Sequence, residues 1–432
     1  MAYPDDSSKS AQLFARARSV LPGGGSRSST LISPYPLYAS EAHGKYLTDV
    51  DGNRYLDFNN NMTSLIHGHA HPRIVGAVGY QVRRGSGYTF MNEAEIQLAE
   101  LLCARVQGFE QIRFTNSGTE AVMNAVKAAR AFTGRADIAK CENAYHGTFD
   151  AVEVSLGVTA TDAALGDPPS VAGSRGTPAG VVESVKVIAW NDTATSKRIL
   201  DQHRGELAAI IIDPAFRRIE PEAAFIDMLG DYCRETGTLL IADEVISFRV
   251  GYTGSQGEYD IPADLTALGK IIGGGFPVGA VAGRRDVMSV FDGTREAEGH
   301  VRHAGTFNGN PVTMAAGFAA MDMMTPAAFA HINDLGARFR AGINEVFALT
   351  NVQGRARGHH SLFAIDIDDV DLMASHVDSA AACDGLARYL LNHGYAMAPG
   401  LGGAVSTIME ASDVAPFCET LLAGIRSIKG EA

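Results

Sequence analysis

The sequence has little of what staples, anchors or highly charges a chain. Its five cysteines, Cys103, Cys141, Cys233, Cys383 and Cys418, are an odd number without close spacing. That pattern indicates neither a disulfide framework nor a zinc module. No apolar run approaches the roughly 20 residues that cross a bilayer, and the start, MAYPDDSSKS, is polar and acidic where a secretory leader is basic and then apolar. Lysine and arginine number 36 against 49 aspartate and glutamate, a formal net charge of −13. Such a balance opposes general attraction to nucleic acid or anionic lipid. No internal repeat is visible, so no solenoid is indicated. These absences lead us to expect a soluble, unexported, cytoplasmic protein with neither nucleic acid nor membrane as a partner, and no metal. What remains is an ordinary globular composition in 432 residues, enough for a large core and two structural lobes.

Periodicity predicts a helix over 10–20 through Leu13, Ala17 and Val20, which Pro22 and three glycines end. The stretch PLYASEAHGKYLTDVDGNRYLDF alternates apolar and polar residues around Asp51 and Gly52, the pattern of a small antiparallel hairpin. His67, His69 and His71 in HGHAHP invite a zinc reading, since alternate residues of a strand share a face. Glycine and proline interrupt that segment and no acid or cysteine stands close by in sequence, so a structural role is preferred. A helical stretch over 93–106 leads into QIRFTNSGTEAVMNAVKAARAFTG, a short strand that turns sharply into a helix with Ala121, Val122, Ala125, Val126 and Ala129 on one face. A strand is expected in ADIAKC, and buried strands in LAAIIID, in LLIAD and over 265–268. Residues 160–180, rich in Gly, Pro, Ser, Thr and Ala, read as a long excursion. GAVAGRRDVM is expected to be a strand, and GTFNGNP a loop before a long helix. Alternating strands and helices predict an α/β fold with a mainly parallel sheet and helices on both faces.

The most informative stretch is residues 239–275. Asp243 ends a run apolar enough to be buried on both faces, and Lys270 stands between a second such run and Gly273, Gly274 and Gly275. In open α/β sheets ligands bind at the carboxyl ends of strands. A buried acid and amine there suit a pyridoxal phosphate site, with Lys270 forming the Schiff base and Asp243 holding the pyridine nitrogen protonated. An internal Asp/Lys ion pair explains the same two residues. Ser117, Gly118 and Thr119 open a helix, where free amides and two hydroxyls form either a phosphate cradle or a plain cap. Tyr145, in AYHG, is either a ring-stacking aromatic or a core residue.

Taken in order, DGNRYLDF, HGHAHP, NSGTEA, AYHG, IADEV, LGKIIGGGFPVGA and GTFNGNP resemble the landmarks of the class III aminotransferases, pyridoxal-phosphate enzymes of fold type I, over nearly the whole chain. The resemblance implies a seven-stranded-type sheet between helices in a large cofactor-binding domain over 66–324. A smaller α+β lobe is implied from an N-terminal segment, 1–65, and a C-terminal domain, 325–432. It also implies that HGHAHP is structural. Position by position, Ser117, Gly118 and Thr119 would hold the cofactor phosphate, Tyr145 and Val245 would cover the two ring faces, and Asp243 would pair with the ring nitrogen. Lys270 would be the covalent lysine and proton carrier. Thr306 would reach the phosphate of a neighbouring subunit, which implies a homodimer with shared sites. The implied reaction is ping-pong transfer from an amino donor to a 2-oxo acid acceptor.

Within the class, PGGGSRSS resembles the β-phenylalanine aminotransferases and glutamate-1-semialdehyde aminomutases, and Arg27 falls where an arginine of the former grips a substrate carboxylate. DEVISFR is one residue shorter than the DEVxxGFR pattern of many members, as in the β-phenylalanine enzymes. APGLGGAV lacks the acid expected of an aminomutase. IIIDPAFRR carries Asp213 where the family usually has glutamate, with Arg217 and Arg218 as either pocket or surface charges. The expectation is an aminotransferase acting on a β-amino acid or similar carboxylated amine, with an aminomutase-like isomerase as the alternative. A dehydrogenase-like nucleotide binder is set aside, because GKIIGGG lacks the GxGxxG spacing.

Overall fold

The computed structural model describes residues 3–158, 166–294, 299–350, 352–367 and 379–429. The chain forms two compact units, one of Arg73–Phe329 and one of Met1–Pro72 with Ala330–Ala432.

The second of these begins with β1 (Ala39–His43), β2 (Tyr46–Asp49) and β3 (Arg54–Asp57), a short antiparallel meander. The hairpin expected at Asp51 and Gly52 joins β2 to β3, and Gly52 takes φ 88° in that turn. The Arg73–Phe329 unit carries the next seven strands: β4 (Gln111–Thr115), β5 (Asp137–Cys141), β6 (Val185–Ile188), β7 (Leu207–Ile212), β8 (Leu239–Asp243), β9 (Leu265–Gly269) and β10 (Gly279–Gly283). They form one sheet in the order β4-β10-β9-β8-β7-β5-β6. Only β10 runs against its neighbours, so β4, β9, β8, β7, β5 and β6 end at the same edge.

The expected strand in GAVAGRRDVM is shorter than the sequence suggests. Gly283 pairs with Gln111, the first residue of β4, so no partner strand continues beyond it, and Arg285–Met288 turns into a helix. β7, β8, β9 and β10 are buried at every position, which is why their sequences read as unbroken apolar runs. Alternate side chains feed two cores. Ala209, Ile211, Leu239 and Ile241 pack with the Gly118–Thr133 helix through Ala121, Val122, Ala125 and Ala129. Ile210, Ile212 and Leu240 face the other way, against Phe225, Leu229 and Tyr232 of the Ala223–Thr236 helix. This is the two-sided sheet that the alternating pattern predicts.

In the unit of Met1–Pro72 with Ala330–Ala432, β11 (Gly354–Arg357), β12 (Leu362–Ile367), β13 (Tyr395–Ala396) and β14 (Gly402–Ala404) complete two sheets, β1-β2-β3-β13 and β11-β12-β14. Phe58 is fully buried there, edge-on to Phe339, Phe363 and Phe417 with centroids 5.1, 5.3 and 5.1 Å away. The HGHAHP histidines belong to the same unit. His69 Nε2 meets Asp57 Oδ2 at 2.7 Å and His67 Nδ1 meets Thr407 Oγ1 at 2.9 Å, so these two point at separate partners. Of the excursion expected over 160–180, residues 160–165 lie outside the described residues. Its flanks are clasped by Ser155, which donates from Oγ to the Pro169 carbonyl at 2.5 Å and accepts from Val171 N–H at 3.0 Å.

Candidate active site

The site residues lie along the edge where the parallel strands end. β4 passes through Asn116 into the Gly118–Thr133 helix, whose N-cap is Ser117. The Ser117 hydroxyl accepts from Glu120 N–H at 3.1 Å, and Glu120 accepts in return from Asn116 N–H at 2.9 Å. This reciprocal capping fixes the helix start and leaves the Gly118 and Thr119 amides at the positive end of a 16-residue helix. A sheet edge normally holds a helix head at a distance, and glycine removes that distance here. A Cβ on Gly279 would lie 2.0 Å from the Ser117 carbonyl, and one on Gly118 would lie 2.9 Å from Val245 Cγ1. At Gly269 a Cβ would stand 3.3 Å from the same methyl. Val245, Gly118 and Gly269 are therefore in mutual contact, and Lys270 follows directly.

Asp243 is the last residue of β8 and is buried. Its Oδ1 accepts from Val245 N–H at 3.1 Å, and its Oδ2 meets His146 Nδ1 at 2.8 Å. His146 is fully buried, and its Nε2 has no hydrogen-bond partner among the described residues. The loop that carries it packs on the cradle: Thr148 N–H donates to Thr119 Oγ1 at 3.3 Å, and a Cβ on Gly147 would lie 2.6 Å from that oxygen. Tyr145 is more than half exposed, and it is near enough to feel the Asp243 charge.

Burial governs the ionisation of this edge. It pushes the Lys270 amine below its ordinary value, and the charges of Asp243 and Asp213 pull partly back. Lys270 also has φ 48°, in the left-handed region, a conformation that costs a non-glycine residue on the order of 1 kcal/mol. Asp213 follows β7 as Asp243 ends β8, and since Ile212 pairs with Ala242 the two acids are neighbours on one face. Burial first, and the Asp243 charge second, push the Asp213 carboxyl up to about 7. Glu244, also fully buried, is raised to about 7 by burial, although it accepts from Ser255 N–H, Gln256 N–H and Gln256 Nε2 at 2.7, 2.9 and 3.0 Å.

The structure thus gathers Ser117, Gly118, Thr119, Tyr145, Asp243, Val245 and Lys270 at one edge. Thr306 is exposed on a loop of the same unit. Arg27 belongs to the other unit; it is exposed, and its Nη1 donates to Asn61 Oδ1 at 2.7 Å. Arg217 is exposed beside the Phe216 ring, 5.3 Å from its centroid, and Arg218 is half-buried. Sequence reasoning passed over His146, although AYHG contains it; an imidazole one residue from a proposed ring-stacking tyrosine was the available signal. It noticed Asp213 only as a short side chain. Its pairing with Asp243 follows from strand register, which the sequence does not display.

A family model described as aminotransferase class-III matches residues 29–395. The glutamate-1-semialdehyde 2,1-aminomutase 2 of Lachnoclostridium phytofermentans is 39% identical over 403 residues, covering 90% of this chain and 92% of that protein. An omega-transaminase from Sphaerobacter thermophilus has a solved structure with a TM-score of 0.94 and 44% identity, covering 99% of each chain. A beta-phenylalanine aminotransferase from Variovorax paradoxus superposes with a TM-score of 0.82 at 31% identity, covering 98% of this chain and 93% of that one.

The Asp213 carboxyl yields a pH test. Its folded value, about 7, lies above the ordinary 3.8, so the native state binds the extra proton. The associated stability is complete at low pH and is lost as pH rises toward and through 7. Asp213→Asn removes that loss. Urea unfolding at pH 5 and pH 8 should shift the stability difference toward the variant by roughly 2–3 kcal/mol at the higher pH. An unchanged difference would mean that Asp213 keeps an ordinary carboxylate value.

Proposed function

The chain belongs to the class-III aminotransferase family, and from that premise we propose that it exchanges amino and carbonyl groups on small carboxylated substrates at the edge marked by Asp243 and Lys270. Pyridoxal 5'-phosphate is the cofactor, and the residues present fit it. A buried carboxylate held by His146 and Val245 N–H suits a protonated ring nitrogen, the helix head offers amides for a phosphate, and contact between Val245 and the Gly118 backbone keeps the floor flat. The observation that carries the proposal is this buried Asp243 next to a lysine strained into the left-handed region.

When bound, the cofactor supplies an electron sink that makes a neighbouring C–H bond acidic. The chain does the rest. Ser117, Gly118 and Thr119 hold the phosphate, Tyr145 and Val245 cover the ring faces, and Asp243 keeps the ring nitrogen protonated. Lys270, its amine depressed by burial, is ready to take a proton from the substrate carbon and return it elsewhere. Thr306 serves the cofactor of a second copy. Support for that homodimer comes from Phe90, Met91 and Phe307, which are 86, 92 and 65% exposed. They lie on segments joined by Asn92 Nδ2 donating to the Gly309 carbonyl at 2.9 Å and Asn310 Nδ2 to the Ser86 carbonyl at 2.7 Å. A cytoplasmic setting agrees with the absence, among the described residues, of any helix long and apolar enough to cross a membrane.

Two substrate readings follow. The curated relatives are named for glutamate-1-semialdehyde isomerisation, and they support the aminomutase alternative better than the β-amino acid transamination expected from the sequence. Aminomutase-like exchange within one molecule is therefore the first reading. Transfer between two molecules is the second, favoured by the 44% identity to an omega-transaminase along 99% of the chain.

Supplied with glutamate-1-semialdehyde alone, the enzyme should form the isomer whose amino group has moved from carbon 2 to carbon 1, followed by mass spectrometry and NMR. Turnover only when β-phenylalanine is paired with 2-oxoglutarate or pyruvate would replace the first reading by the second. Lys270→Ala should lose turnover while still binding cofactor, and borohydride reduction should fix cofactor mass to the wild type only; a mass gain in the variant would remove Lys270 from its role. Arg27→Ala should raise KM for carboxylated amines by about tenfold or more, with amines lacking a carboxylate less affected. Equal losses on both would remove Arg27 as the carboxylate clamp.

A further inference from the structure

After Val301 the chain forms a short loop before the Pro311–Met323 helix, and its tip, residues 304–307, is exposed. A loop containing Gly305 and Gly309 has much conformational freedom to lose. Here it is gripped at both feet. At the first foot Arg113, on β4, donates from Nε to His303 Nδ1 at 2.7 Å and from Nη2 to the His303 carbonyl at 3.2 Å. Its Nη1 donates to the Phe291 carbonyl at 3.3 Å. At the second foot Asn308 N–H donates to the Gly305 carbonyl at 3.1 Å, closing the turn that contains Thr306.

The side chain of Asn308 joins these feet to the cradle. Its carboxamide lies 3.2 Å from His303 Nε2, which carries the ring proton and donates because Nδ1 accepts from Arg113, and 2.8 Å from the Asn116 carboxamide. Asn116 immediately precedes the N-cap Ser117, and its own N–H is held by Glu120 at 2.9 Å. Gly305 has no room for a side chain, since a Cβ would lie 2.5 Å from Asn308 Oδ1. An unbroken side-chain bridge, Arg113–His303–Asn308–Asn116, therefore ties the exposed Thr306 tip to the head of the cradle helix.

We propose that Asn308, clasped between His303 and Asn116, is a positioning residue that locks the Thr306 tip and the Ser117–Thr119 cradle into one block and so sets affinity for two cofactor phosphates, this chain's through the cradle and the second copy's through Thr306. The inference rests on the reading of the cradle and Thr306 as phosphate ligands. Its chemical signature is selectivity. Loosening the bridge should weaken binding through the phosphate and spare binding through the ring, whose partners Asp243, Tyr145 and Val245 lie outside the bridge.

The test titrates cofactor-free protein with pyridoxal 5'-phosphate and, separately, with pyridoxal, which has the ring and aldehyde without the phosphate. Asn308→Ala should lose about tenfold in affinity for the phosphorylated ligand and keep its affinity for pyridoxal, with the thermal midpoint of the cofactor-free protein unchanged. His303→Gln, which removes only one end of the bridge, should move the same ratio in the same direction by less, and it carries the test alone if Asn308→Ala does not fold. Equal losses for both ligands, or no change in either, would overturn the inference and reduce the bridge to loop packing. Wild-type protein that binds both ligands equally well would sink the phosphate-cradle reading itself, and the inference with it.

Discussion

The structure depends on seating a carboxyl group, Asp243, at the buried end of β8. Taking an anion out of water is expensive unless hydrogen bonds or opposite charge offset the loss. Asp243 has a backbone amide on one oxygen and an imidazole on the other. Those two partners fix its direction. The chain has to follow β8 with a turn that brings Val245 N–H back, and it has to bring the loop after β5 across the edge to deliver His146. The sheet order allows this, since β7 alone separates β8 from β5.

Charge at one point then constrains its neighbours. Asp213, one strand away, cannot also ionise freely, and burial together with the Asp243 charge holds its proton to about pH 7. Lys270 is pushed the other way, toward the neutral amine, by the same burial. A hydrogen-bonded carboxyl group, a raised acid and a depressed amine thus share one edge. In solution at neutral pH, two aspartates and a lysine would all be ionised. The strain at Lys270 fits this picture, because a backbone conformation of that kind persists only where surrounding contacts enforce it.

The sequence made legible whatever depends on short-range pattern. β7, β8 and β9 stand out because burial on both faces demands unbroken apolar runs, and the Gly118–Thr133 helix because its cap and apolar face repeat at helical spacing. Ser117, Asp243 and Lys270 could be picked out because each ends or begins such an element. Contacts that depend on strand order could not be read. The pairing of Asp213 with Asp243 needs β7 beside β8 in register. The bridge from Arg113 to His303 joins residues 190 positions apart. The strand pattern of β10 extends past Gly283 because RRDVM holds neither glycine nor proline, whereas its length is set by where β4 begins.

The antiparallel strand β10 has a consequence for how the site is built. Wedged between β4 and β9, it starts at the same edge where they end, so its first residue, Gly279, lies between Thr115 and Gly269. Any side chain there would collide with the Ser117 carbonyl. Reversing one strand thus places a glycine at the junction and lets the helix head descend onto the sheet beside Val245. Elements distant in sequence meet within a few ångströms, and the same descent brings Asn116 within reach of Asn308. The Ser117–Thr119 helix head, Val245 and the Thr306 loop are consequently parts of one packed corner, and a change at Gly279 would be felt by all three.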